Sequence, residues 1–355
     1  MKAVPIADLE AFVLDVLDRS GVSRKDAQTT AEVLVTTDSW GVFTHGTKFL
    51  SDYTRRLRAG GLNPRGRPAI QKEGPAWALV DGDRSLGMVT GVFAMNLAVA
   101  KATASGIALV TVHNSYHFGA AGYYAWIAAS QGRIGLALAN AIPSVSAPGS
   151  CGPVLGSNPF AFAAPAAKEG SMVLDISTAA VAGGKIMVAA AEGKPVPASW
   201  LIDAKGQPTT DPHLFLRFEA FLTPMAAHKG YGLALMIEIL SGVLSGGAMR
   251  DKIGSFVDLP DKPADYSQAF LAINPEVFLG ENVFAGRVDD LFGGIRHLPS
   301  AVGFGHVKIP GEIEQEKRRK ALASGIDLPA DVVDVLRMVA EESGCRVPEF
   351  LEKMR

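Results

Sequence analysis

A chain of 355 residues with 48% apolar and 20% charged side chains is long enough for more than one folding core and too apolar to be disordered. Its formal charge of -2 excludes the strong positive field that a nucleic acid or an anionic membrane partner would require. The two cysteines, Cys151 and Cys345, lie far apart and form neither a disulfide framework nor a CxxC metal motif, which suits a reducing cytosol.

The N-terminal stretch MKAVPIADLEAF lacks the apolar run of a signal peptide, so a cytoplasmic location is expected. Ile6, Leu9, Phe12, Val13, Val16 and Leu17 recur at helical spacing. Ser23 followed by Asp26 predicts a capped second helix running to about Thr37. A third is expected from Thr47 to Arg58, stopped by Gly60-Gly61. The texture then changes. Strands are expected at 75–83, 106–115, 132–141, 158–166 and 171–178, with helices at 86–104, 119–130 and 229–245. The longest apolar stretch, 232–247, contains Glu238 and several glycines and is short for a membrane span. The tail returns to helices, including 329–343. Its basic run at 314–321 has acids on its flank and reads as a solvated helix face. Strands alternating with helices predict an α/β class with a mixed sheet. A helical start and end around that middle predict two domains: a discontinuous helical one built from both termini (1–70 with 308–355) and an α/β one (71–307).

Several motifs are absent. No GxGxxG follows a strand, no GxxxxGK[ST] or HExxH occurs, and there is no GxSxG elbow. The seven histidines show no metal-ligand spacing beyond His113 and His117, so no metal is expected. Cys151, in the turn GSCGP, reads as an ordinary free thiol rather than a nucleophile.

Five stretches carry residues suited to chemistry. In GVFTHGTKF (41–49), the Thr44 hydroxyl can orient His45 or relay a proton; capping of the next helix by Thr44 is the structural alternative. In HNSYHFGAAGYYA (113–125), His117 falls at a strand-to-helix junction, where backbone N–H groups are available to an anion. Gly119 and Gly122 would let a ligand approach the backbone, while His113 is expected to be a packed or hydrogen-bonded residue. Asp175 ends an apolar strand and can cap the following helix or bind a sugar hydroxyl; Lys185 follows two glycines. Lys229 just before a long apolar helix opposes the helix dipole, which an anionic ligand would explain. Finally, VKIPGEIE (307–314) reads as strand, turn and helix, with Glu312 a helix cap or a ligand contact.

Taken in order, THG, HNSYHFG, NPFAFAAP, LDIST with GGK, WLIDAKGQPTTDP, HKGYGLALMIEIL and PGE span nearly the whole chain. In that order they resemble the type-2 malate/L-lactate dehydrogenases, whose relatives include ureidoglycolate and sulfolactate dehydrogenases, diketogulonate reductase and piperideine-2-carboxylate reductase. The resemblance implies a non-Rossmann nicotinamide-binding fold, an NAD or NADP cofactor, a small 2-hydroxy or 2-oxo acid substrate, and a homodimer. His117 matches the histidine assigned as proton acceptor in some members. His45 matches the proton donor of others, with Thr44 where serine is usual, so the acid/base stays open between the two. By the same resemblance His117, Phe118, Gly119, Ala120 and Ala121 line the cofactor, as do Asp175, Ser177, Lys229, Gly230, Pro310, Gly311 and Glu312. Asn140 lies near a position that touches cofactor or substrate.

Two departures bear on the substrate. The family's arginine three residues after its glycine, which grips a substrate carboxylate, is Phe49 here. Lys48, a neighbouring candidate for substrate binding, points elsewhere on a helix. The carboxylate is then held differently, or the substrate carries an apolar group at that place. Lys185 stands where ketimine reductases have an aspartate, which weakens a cyclic-imine reading. That reading and a catalytically inactive ligand-binding relative are the alternatives to a 2-hydroxy acid dehydrogenase. No motif distinguishes NAD from NADP.

Overall fold

The computed structural model describes residues 3–168, 170–255, 259–280 and 282–352. The N-terminal helices follow the pattern of their apolar residues. α1 (Ile6–Arg19) buries Leu9, Phe12, Val13, Val16 and Leu17. α2 (Arg24–Ser39) starts at Ser23, whose side chain accepts from the Asp26 N–H. The third predicted helix is split. Phe43–His45 and Thr47–Phe49 are 3-10 turns, and α3 (Leu50–Ala59) follows, ending at Gly60 with φ 88°.

The remaining strands and helices follow. The strands are β1 (Ala69–Gly74), β2 (Trp77–Asp81), β3 (Ile107–Ser115), β4 (Ile134–Ala139), β5 (Val145–Ser146), β6 (Pro153–Leu155), β7 (Phe160–Ala164), β8 (Met172–Ile176), β9 (Leu201–Asp203), β10 (Pro208–Thr209), β11 (Ala220–Leu222) and β12 (Tyr266–Ile273). The helices are α4 (Gly87–Ser105), α5 (Ala121–Ser130), α6 (Gly183–Ala191), α7 (Pro212–Leu216), α8 (His228–Glu238), α9 (Glu276–Leu279), α10 (Val283–Arg296), α11 (Glu312–Ser324), α12 (Ala330–Ser343) and α13 (Glu349–Glu352).

The large sheet has the order β1-β2-β3-β12-β4-β7-β8. Among the described residues β2 with β3 is its one parallel pair; the others are antiparallel. A Rossmann sheet is essentially parallel, so this mixed sheet is a different way of building an α/β layer. A five-stranded sheet, β10-β9-β11-β5-β6, forms a smaller lobe with its own core of Val145, Val181, Ile186, Leu201 and Leu222. The two chain ends meet, with Val4 bridging Ile326, and their helices share one contiguous core with the large sheet. α4 is long and apolar enough to cross a membrane, but it buries Met88, Ala94, Met95 and Ala98 inside this core.

Four further features differ from the sequence expectation. β12, the central strand, has no counterpart in it, because Ser267 and Gln268 break the apolar run; both are buried, and Gln268 Nε2 donates to the Tyr116 carbonyl at 2.9 Å. Residues 307–309 form no strand; the segment is tied to β8 by the Val173 N–H donating to the Pro310 carbonyl at 3.1 Å. Lys229 sits inside the first turn of α8 rather than ahead of it. In the basic run, Lys317, Arg319 and Lys320 are exposed, but Arg318 lies over the Trp126 ring, 5.4 Å from its centroid, and donates to Ser39.

Candidate active site

The site forms where the β3–α5 connection, which carries His117, meets the two 3-10 turns ahead of α3. Phe49 and Tyr53 are one helical turn apart and present their rings on one side. Phe49 stacks on the His117 imidazole with centroids 4.7 Å apart and planes 30° apart. The His45 ring lies 5.9 Å from His117 and 6.1 Å from Phe49. The Tyr53 phenol oxygen is 2.8 Å from His117 Nδ1, and Thr44 Oγ1 is 3.0 Å from His45 Nδ1. Burial drives His117 down to about 3, and the adjacent His45 pushes it the same way. Burial lowers His45 as well. Both rings are therefore neutral at neutral pH, as proton acceptors must be. Burial holds Tyr53 far above the usual phenol value, so it remains an O–H group.

The turn that presents His45 is fixed from below. Asp38, at the end of α2 and 1% exposed, accepts from the Thr47 N–H at 3.1 Å and from the Thr47 hydroxyl. Its Oδ1 has no hydrogen-bond partner, and a Cβ on Gly46 would fall 1.8 Å from it. Only glycine fits there. Burial raises this carboxyl, the Thr47 bonds lower it, and the balance is about 7.

Gly119 and Gly122 do not leave the backbone open as the sequence suggested. Gly119, with φ 76°, seats the turn against the His45 carbonyl, which a Cβ would approach to 3.3 Å. The Gly122 N–H, in the first turn of α5, donates to Asp175 Oδ2 at 2.8 Å, and a Cβ there would lie 2.9 Å from that oxygen. Asp175 thus caps α5 across the sheet rather than the helix that follows it. Its surroundings raise the carboxyl to about 6, yet the side chain still reaches solvent, and it is ionised at neutral pH.

Phe118, Ala120 and Ala121 flank this junction and are buried. Ser177 Oγ donates to the Ser157 carbonyl (3.3 Å) and accepts from the Ala179 N–H (3.0 Å). Beside it, the Met225 N–H donates to the Thr178 carbonyl at 2.8 Å, and Gly230 packs so tightly on Met225 that a Cβ would lie 2.3 Å from its carbonyl oxygen. Ala226 and Ala227 hold φ 47° and 53° in this turn, a backbone strain of about 1–3 kcal/mol each. The turn brings the start of α8, with exposed Lys229, to the end of β8. A Cβ on Gly184 would lie 3.5 Å from Thr44 Cγ2, so the start of α6 stands against Thr44; Lys185, the next residue of α6, is exposed.

Other candidates are engaged in holding the fold. Lys48 pairs with Asp331 at 2.7 Å. Asn140, 1% exposed, donates to the Ala248 carbonyl (2.9 Å) and accepts from the Ser267 N–H (2.8 Å). Pro310 and Gly311 turn the chain beside β8, Gly311 with φ 88°, and Glu312 binds Arg296 and His306. His113 Nε2 is 3.1 Å from Gln71 Oε1. Cys151 is exposed and Cys345 buried, both as free thiols. No group of three or more potential metal ligands occurs among the described residues.

A dinucleotide needs an acceptor for ribose hydroxyls, a cation for phosphate and a close backbone approach. Asp175 is an acceptor and Lys229 a cation of the kinds such a cofactor needs, and the class of protein is defined by comparison with known families. The chain belongs to the malate/L-lactate dehydrogenase family, whose sequence profile matches residues 4–337. It is 37% identical over 341 residues to an L-sulfolactate dehydrogenase of Methanocaldococcus jannaschii, covering 96% of this chain and 97% of the relative. It is 32% identical over 323 residues to a Delta(1)-pyrroline-2-carboxylate/Delta(1)-piperideine-2-carboxylate reductase of Pseudomonas putida, covering 91% and 92%. The crystal structure of a malate dehydrogenase from Entamoeba histolytica superposes with a TM-score of 0.91 at 31% identity, covering 98% and 99%. The chain is thus a hydroxy acid dehydrogenase by family, with a nicotinamide cofactor.

Tyr53 and Asp38 were not singled out by sequence. Tyr53 was within reach, four residues after Phe49 on one helix face. Asp38 carried no signal, because its partner Thr47 is reached only through the fold.

Proposed function

We propose that this enzyme interconverts a 2-hydroxy acid and a 2-oxo acid with NAD or NADP, as a cytosolic homodimer, and that His117 is the acid/base. The observation that carries the assignment is the 2.8 Å contact between His117 Nδ1 and the buried Tyr53 phenol. With Nδ1–H donating to the Tyr53 oxygen, Nε2 takes the hydroxyl proton as the alcohol is oxidised and returns it to the carbonyl oxygen in reverse. The same acceptor serves the neutral ring and the imidazolium, so the tautomer is fixed through the cycle. When bound, the nicotinamide supplies hydride exchange with the substrate carbon. Asp175 would take the ribose hydroxyls, Lys229 the phosphates, and the turn from His117 to Ala121 the nicotinamide end, with Ser177, Gly230 and the Pro310–Gly311 turn shaping the walls. His45, oriented by Thr44, forms the second wall. The exposed apolar residues Leu235, Met236, Ile239, Val243 and Leu244 support a second copy covering that face.

Reduction of a cyclic imine acid is the second reading, supported by the P. putida relative. Lys185, standing where the resemblance gives ketimine reductases an aspartate, disfavours it. The test follows reduced-nicotinamide absorbance with malate, lactate, ureidoglycolate, sulfolactate, their 2-oxo partners and cyclic imine acids. Turnover of hydroxy or oxo acids is expected; turnover confined to the imines would overturn the first reading in favour of the second.

A further inference from the structure

Phe49 makes one wall of the site apolar where the proton changes hands. We infer that the site selects 2-oxo acids with an apolar side chain over those ending in a second carboxylate or sulfonate, with Phe49 as the selecting wall. This rests on the reading of the reaction given above. A substrate oxygen that reaches His117 or His45 must lie beside Phe49, whose ring is 4.7 Å from one imidazole and 6.1 Å from the other.

The cations on the same stretch of chain are committed elsewhere. Lys48 pairs with Asp331 at 2.7 Å, and Arg55 with Asp52 at 3.0 Å. Arg56 is fully buried, donates to the Lys262 and Ser255 carbonyls, and lies 5.2 Å from the Tyr116 ring centroid. A second anionic group against Phe49 would lose its hydration and gain no counter-charge. An isobutyl or phenyl group would instead bury itself on the ring.

Steady-state kinetics test this with phenylpyruvate and 4-methyl-2-oxopentanoate against oxaloacetate and sulfopyruvate, using the full chain and its preferred cofactor. The wild type is expected to favour the apolar acids by at least ~10-fold in kcat/KM, the scale on which a pocket reads side-chain bulk. Phe49→Arg should reverse the ratio, and Phe49→Leu should keep its direction. Preference of the wild type for the dianions, or a ratio unchanged in Phe49→Arg, would overturn the inference alone. Absence of turnover with every 2-oxo and 2-hydroxy acid would overturn the reading of the reaction and this inference with it.

Discussion

The turn bearing Thr44 and His45 and the turn at Pro310–Glu312 are each anchored by one carboxylate, with opposite energetics. Asp38 is enclosed under the first with one oxygen unpartnered, and its carboxyl rises to about 7. Glu312 sits under the second. Burial alone would raise it, but hydrogen bonds from His306, the Ile309 N–H and Arg296 bring it down to about 2. The ionised form of Asp38 is costly to the fold, whereas the ionised form of Glu312 stabilises it. The first turn holds His45 beside His117 at the expense of a buried charge; the second is a structural clamp on β8 whose side chain is already satisfied. A motif match marks both turns equally, and only the pairing of their carboxylates separates them.

Breaking the first turn should have the largest effect. Gly46→Ala would drive a methyl group into Asp38 and displace His45 and Phe49 together, so kcat/KM should fall about 100-fold or more, as expected for ~1 Å misplacement at a reacting centre. Steady-state assay beside circular dichroism checks that the fold survives. Tyr53→Phe removes the hydroxyl that, in the proposed tautomer, accepts from His117 Nδ1–H. We expect kcat to fall roughly tenfold, with the acid limb of the pH profile moving to lower pH, because the imidazolium loses its partner.

The second turn should respond in stability rather than rate. Glu312→Gln should cost about 1–3 kcal/mol in urea unfolding at neutral pH, with cofactor Kd from fluorescence titration changed less than about threefold. Its contribution is present above the ordinary glutamate value of 4.5 and is lost as pH falls toward about 2. Asp38 runs the other way. Its folded value lies above the ordinary 3.8, so its contribution is complete below that pH and is lost as pH rises through about 7. Relative to Asp38→Asn, the wild type should lose about 1 kcal/mol or more across that window, read by unfolding at several pH values.

The helices were legible because burial imposes a period. The spacing from Ile6 to Leu17 is the buried face of α1, and Ser23 with Asp26 marks the cap of α2. β12 was not legible, since Ser267 and Gln268 are buried polar residues whose partners lie on other strands. Nor were the short strands of the small lobe, two or three residues each in all five cases and set by pairing rather than by pattern. Of the site, the sequence marked His45 and His117 but not what fixes them. Tyr53 meets His117 across 64 positions, and Asp175 meets Gly122 across 53, contacts that no local window contains. Gly122 illustrates the limit: it was read as room for a ligand, and the fold uses that room for Asp175.

The most direct measurement compares His117→Ala with His45→Ala on a substrate the wild type turns over, with cofactor affinity measured in parallel. The account predicts a loss of about 10²–10⁴ in kcat for His117→Ala with cofactor Kd retained, and a smaller loss for His45→Ala. Undiminished turnover by His117→Ala, or the reverse order of the two losses, would contradict it.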